Sequence, residues 1–260
     1  MRLRLLLLAL FLLAAQPAWA AWTFVSARGT AQEKTSDGSL SVSPLATIAA
    51  GSILIVWAAT DNPTNGTSCT DGTFHSVSDS AGNTYTLLRE RTQGTTAAAG
   101  VTTSLWASKL ATQLTTSSTV TVTISSNVTA KTVGLAEFTV AAGKTFSLNS
   151  STQNCANGTD GSTTLSGLSA SEHLHFDING AETDVNPGTE SGLTGVNSIS
   201  TTGGGAASNI NGRSYYKISS STSETHTITW ASANDHSVLH VAVDESSGVS
   251  PKRRRVMVSP

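Results

Sequence analysis

Charged side chains make up only 12% of this chain and aromatic ones only 5%. So little charge, set beside abundant Thr, Ser, Gly and Asn, suits a sheet protein whose outer faces carry hydroxyls instead of ions. Disorder is argued against, because Val, Ile, Leu and Trp are present and recur in period-2 order. No stretch beyond residue 20 approaches the ~20 apolar residues that a bilayer-spanning helix needs, so the mature chain carries no membrane span. No helical periodicity of normal length is present either. Serine is plentiful, yet no G-x-S-x-G occurs, which removes the usual nucleophile elbow. The E-x-D-x-E spacing of sandwich glycosidases is missing as well. Cysteine is limited to Cys69 and Cys155, and neither sits in a metal or redox pattern.

What is present begins with residues 1–20, which read as a secretory signal. Arg2 and Arg4 form a basic start, residues 5–15 an unbroken apolar core, and Ala18-Trp19-Ala20 a cleavage pattern. The expected destination is outside the cell, at its surface or in a periplasm, after cleavage between Ala20 and Ala21. That compartment permits a disulfide between Cys69 and Cys155, both of which lie in Asn/Gly/Thr-rich loops. Setting aside Arg2, Arg4 and the four basic residues at 252–255 leaves nine basic against 17 acidic side chains. A body about eight charges negative argues against a nucleic-acid groove on its folded part. Residues 247–260 read as a basic flexible tail, with an anionic polymer or cell surface as the contact its charge would favour.

The stretch 105–138 organises the rest. It holds an aromatic strand, then 119–124 in strict alternation, a polar turn, and an apolar run at 133–138. The same order returns at 215–218, 225–230 and 238–243, so the architecture is duplicated, with halves at 21–143 and 144–246. On 119–124, Val120, Val122 and Ile124 take one face and three threonines the other, which pins the register. Residues 53–57 read as a strand covered on both faces, and 173–178 stands in its place in the second half. Pro44 implies a bulge or an edge in a second strand at 40–48. Residues 80–83 read as the turn of a hairpin, 92–100 as a loose loop, and 182–208 as a long loop without periodicity. About a dozen short strands follow from this, the mark of an all-β sandwich or jelly-roll-like fold in two internally related halves of antiparallel strands.

The succession GSILIVWAAT, VSDSAGNTYTLL, SLWASKL, STVTVTISS and GLAEF resembles duplicated all-β sandwich proteins of phage virions and exported environmental bacterial proteins. These carry a D-x-x-G-N-x-Y hairpin, matched here by Asp79, Gly82, Asn83 and Tyr85. The resemblance implies adhesion, carbohydrate contact or a virion-surface role, and brings no catalytic residue with it.

Reactive side chains have quieter readings. His173 and His175 stand about 7 Å apart on one strand face and would suit a metal, but Glu182 lies off register beyond Gly180. They read as outward-facing polar residues. Asp177-x-Asn179-Gly180 and residues 79–83 read as Asx turns, not calcium loops. Glu137, Asp244 and Glu245 read as solvated acids. Adjacent Tyr215 and Tyr216 point to opposite faces, so one ring should be exposed and able to stack on a sugar. With Asn186, Thr189 and Asn197 of the long loop, they form the candidate binding set. No catalytic residue, metal ligand or cofactor is assigned. The expected role is a secreted, non-enzymatic surface or extracellular module that contacts polysaccharide weakly, with a second copy of the chain as a further candidate partner. A phage decoration or tail protein and a secreted glycan-active enzyme are the alternatives. Mass spectrometry of exported protein should find Ala21 at the N-terminus, and an intact residue 1–20 segment would overturn the signal reading.

Overall fold

The computed structural model describes residues 22–63, 69–70, 72–96, 99–205 and 208–247. No α-helix occurs among them, and fifteen strands do. The first half comprises β1 (Thr23–Glu33), β2 (Asp37–Val42), β3 (Ile53–Asp61), β4 (His75–Asp79), β5 (Thr86–Thr96), β6 (Ala99–Lys109), β7 (Val120–Val128) and β8 (Lys131–Thr139). The second comprises β9 (Lys144–Asp160), β10 (Thr163–Ser166), β11 (His173–Glu182), β12 (Thr189–Ser191), β13 (Thr194–Ser200), β14 (Ile210–Ser219) and β15 (Ser223–Ser247).

Pairing repeats between the halves. The first has a five-stranded antiparallel sheet, β1-β8-β3-β6-β5, and a small sheet, β2-β7-β4. In the second, residues 234–247 of β15 run between β9 and β11, giving β9-β15-β11-β14-β13. Residues 223–229 of the same strand lie between β10 and β12, the counterpart of the small sheet. One strand therefore does the work of both β7 and β8, and the turn expected after residue 230 is absent. A register shift between Thr229 and Asn234 lets the strand leave one sheet for the other.

The two large sheets pack face to face, with Ile53, Ile55 and Trp57 of β3 against Leu174, Phe176 and Ile178 of β11, joined by Phe138, Leu239 and Val241. β1 lies over β13 and β5 over β9, as a two-fold relation between halves requires. The outer face of β3 carries Leu54, Val56 and Ala58, which pack with Leu40, Val42, Val120 and Val122 of the small sheet. The molecule is thus four layers deep, and β3 is buried along its whole length because it is covered on both sides.

Several expected local structures differ. β4 pairs with β7 and β5 with β6, so residues 80–83 connect two sheets and do not close a hairpin. Residues 92–100 are not a loose loop but fall largely in the β5–β6 hairpin. β2 ends before Pro44, and beyond it only Ile48 bridges to Leu114. The segment 182–208 contains β12 and β13, so backbone pairing overrides its Gly/Asn/Thr composition. Cys69 and Cys155 form a disulfide with Cα atoms 5.4 Å apart, tying the loop after β3 to β9. Closing a loop of that span contributes about 4–5 kcal/mol in the chain-entropy account.

Val122 is 1% exposed, whereas Thr121 faces outward and its hydroxyl meets Ser41 at 2.7 Å. Val122→Asp should therefore cost roughly 3–5 kcal/mol and Thr121→Asp less than about 1 kcal/mol. Thermal melts of the two variants check this; equal shifts would mean the facing is wrong.

Candidate functional site

All six histidines are buried, five of them in the second half. His173 and His175 are fully buried, which corrects the outward-facing reading. The cause is the outer sheet of the second half, which covers the face of β11 that sequence alone leaves open. On that face, His175, Asp177 and Asn179 take the places that Leu54, Val56 and Ala58 take on β3. Asp177 has His240 and Tyr215 as cross-strand neighbours, where Val56 has Leu135 and Trp106. The covering strand adds Glu224 and His226 to the layer, where β7 offers valines. An apolar layer in one half is a polar layer in the other.

Its contacts form two chains. His175 Nδ1 and His240 Nε2 are 3.3 Å apart, and His240 Nδ1 reaches Thr163 Oγ1 at the same distance. Burial lowers the His175 pKa to about 4, with Glu224 opposing and His173 and Lys217 assisting. Burial, then the charges of His175 and His226, lowers that of His240 to about 3. The second chain has His226 Nδ1 2.9 Å from Asp177 Oδ2, with the His226 ring tilted on Tyr215 at 4.7 Å. Burial alone would lower the His226 pKa, but Asp177 outweighs it and the net shift is upward. Tyr215 donates its hydroxyl to Glu190, which also accepts Arg213 Nη1 at 2.5 Å. His175 Nε2 and both amide atoms of Asn179 find no hydrogen-bond partner among the described residues. Such groups cost about 1–3 kcal/mol each. Among the described residues, no three His, Cys, Asp or Glu side chains are grouped so as to hold a metal ion.

The sequence candidates fall in different places. Asn186 and Thr189 are exposed, and Asn186 Oδ1 accepts Asn211 Nδ2 at 2.9 Å. Asn197 turns inward and donates to the Leu135 carbonyl at 3.0 Å. Tyr215 is 3% exposed, and Tyr216 is half-buried and stacked on Phe24 at 4.4 Å, so neither is the open ring expected. Adjacent strand residues do face opposite ways here, but each face is covered by another layer. Asn197 and Tyr215 border a shallow cleft of about 190 Å³. Asp177 and Asn179 lie within β11, not in a turn. Glu137 is buried and held by Arg28 Nε at 2.5 Å and Ser52 Oγ at 2.6 Å, so it is not a solvated acid. Asp244 meets His173 Nδ1 at 2.5 Å. The basic tail lies outside the described residues.

A second polar array sits where β3 and β11 end. Asp61 and Glu182 are the equivalent last residues of these strands, and they are near enough for Asp61 to act on the Glu182 carboxyl. Burial, then Asp235 and Asp61, raises the Glu182 pKa against the pull of the Gly100 N–H at 2.9 Å. Glu182, Thr183 and Asp235, with Asn157, Ser232, Ala233 and Asn234, line a recess of about 250 Å³. Asp235 carries no signal in the sequence, because the repeat predicts a turn between 225–230 and 238–243 where the structure has continuous strand. No protein-family model matches the chain, and no curated protein and no solved structure is significantly similar to it.

The D-x-x-G-N-x-Y residues are engaged in the fold. Asp79 Oδ1 accepts the Ala81 and Asn83 N–H groups at 2.9 and 3.1 Å, and Oδ2 accepts Asn83 Nδ2 at 2.9 Å and the Tyr85 hydroxyl at 2.8 Å. Gly82 supplies the positive φ of 75°. Burial would raise the Asp79 pKa, yet these hydrogen bonds hold it below the usual carboxylate range. The contribution is thus present above the unfolded value of about 3.9 and lost as pH falls through the folded one. Asp79→Ala should cost roughly 2–4 kcal/mol in urea unfolding at pH 7, against less than about 0.5 kcal/mol for exposed Asp184→Ala. Similar midpoints for both would remove Asp79 from this role.

Proposed function

We propose that this protein is an exported, non-enzymatic binding module whose contact surface is the end of the sandwich where β3 and β11 terminate. The observation that carries this reading is the recess of about 250 Å³ bordered by Glu182, Asp235, Asn157 and Asn234. Duplication brings two equivalent strand ends to one end of the molecule there, with Asp61 acting on Glu182. Carboxylates and amides grouped in this way offer hydrogen bonds to neighbouring hydroxyls, which fits a polysaccharide. The recess is smaller than the ~300–1,000 Å³ of most small-molecule sites and no aromatic side chain among the described residues lines it, so affinity is expected at ~10 µM to mM. The disulfide supports an oxidising destination. Hydrolysis of a glycan is the second reading, favoured by the raised pKa of Glu182 beside Asp235.

A polysaccharide array probed with the wild type and with Asn234→Ala/Asp235→Ala separates these. The binding reading expects retention of wild type, at least tenfold weaker retention of the double variant, and melting temperatures within a few degrees of each other. Equal retention of both proteins would overturn it. Release of reducing ends by the wild type, abolished in Glu182→Gln, would replace binding with hydrolysis.

A further inference from the structure

The polar layer of the second half has no part in the proposed contact surface, and its geometry carries an inference of its own. We propose that the outer sheet of the second half, formed by β10, β12 and residues 223–229 of β15, is an acid-released flap held over β11 and β14 by neutral His175 and His240. Their facing nitrogens stand 3.3 Å apart and share one proton, so a further proton falls on a distal nitrogen in a layer closed to solvent: His175 Nε2, which has no partner among the described residues, or His240 Nδ1 beside the Thr163 hydroxyl. Every element packed there presents its charges. β11 offers His173 and Asp177; β15 offers Glu224, His226, Asp244 and His236, the last stacked on Trp230 at 4.6 Å; β14 offers Arg213, Tyr215 and Lys217; β12 offers Glu190. β10 offers only the Thr163 hydroxyl. The carboxylates are already engaged: Asp177 with His226, Glu190 with Arg213 and Tyr215, Glu224 with Lys217, and Asp244 with His173. An imidazolium formed at His175 or His240 therefore meets only counter-charges shared with other groups, and at His175 burial outweighs the pull of Glu224.

The flap is also the weaker of the two outer sheets. β10 and β12 are four and three residues long, against six and five for β2 and β4. The layer beneath it includes Asn179 and His175 atoms without hydrogen-bond partners among the described residues, where the first half has Leu54, Val56 and Ala58. Opening lets both histidines return to their free pKa of about 6.5, so below that pH each makes opening about tenfold easier per unit. The first half contributes one such group, His75, whose pKa burial lowers to about 3. His226, whose pKa Asp177 raises, favours the closed layer as pH falls, but the two lowered histidines outnumber it, so acid should loosen the second half more steeply than the first.

Native-state hydrogen exchange, corrected for intrinsic rates, reads this on the intact protein at pH 7 and pH 5. The ratio of protection in β10 and β12 to that in β2 and β4 should fall at least tenfold between the two. A ratio that stays constant would overturn the proposal. His175→Leu/His240→Leu transplants the residues found at the equivalent first-half positions, Leu54 and Leu135, and should abolish the fall. Persistence of the fall in this variant would also overturn it. Should the double variant not fold, His240→Gln, which removes one titrating ring, should reduce the pH slope of the ratio by about tenfold per unit; an unchanged slope counts against the flap.

Discussion

Everything in this molecule leans on the contact between β3 and β11. Each is the middle strand of a five-stranded sheet, and each is covered again on its far side. Such a strand has no solvated face on which to put polar side chains cheaply, so the shared face must be continuously apolar. Trp57 makes the fit specific. Its ring occupies space that a Cβ at Gly134 on β8 or at Gly212 on β14 would invade. The indole thus reaches a backbone on its own sheet and another across the interface, and the two glycines are fixed by its volume.

That dependence explains what sequence patterning made legible. Alternation on 119–124 and the apolar run of β3 come straight from burial on one face and on two, so fold class, duplication and the facing of Val122 were readable. What could not be read was the partner of each face. His173, His175 and Asp177 alternate with Leu174 and Phe176 just as an exposed strand would, and periodicity does not tell solvent from a polar layer. Tyr215 was misjudged for the same reason. In the connection between β4 and β5, turn chemistry was right and topology wrong, because Asp79 and Gly82 satisfy a bend whichever sheets it joins. The Glu182–Asp235 recess depended on the continuous run of β15, which no local signal marks.

The two outer layers illustrate what duplication permits. A buried polar pair such as Asp177 with His226 seldom stabilises as much as well-packed hydrocarbon of similar volume. The first half keeps hydrocarbon at these positions, so an equivalent apolar solution fits the same backbone arrangement. A polar layer that sacrifices stability can persist because the central contact and the first half carry the fold. It also needs closer agreement among its members, since each carboxylate or imidazole lacking a partner costs more than a misfitting methyl group.

The long edges of the sandwich show how the relation between halves was broken. The β5–β9 edge is fastened by the Cys69–Cys155 bond and by Arg89 donating to Gln153 at 2.7 Å. The opposite edge, β1 over β13, is held by Lys34, which donates to Ser208 Oγ at 3.2 Å and Asn209 Oδ1 at 3.0 Å, and by Phe24 stacked on Tyr216. One fastening is covalent and does not titrate. The other rests on a lysine whose hydrogen bonds are exposed or half-exposed, so it is worth little in water. Cys155 lies on β9 two residues before Asn157, which lines the recess where Glu182 and Asp235 meet. Constraint is therefore concentrated at the end of the molecule that carries the proposed contact surface, where holding polar groups in place beforehand lowers the entropic cost of engaging a weakly anchored ligand.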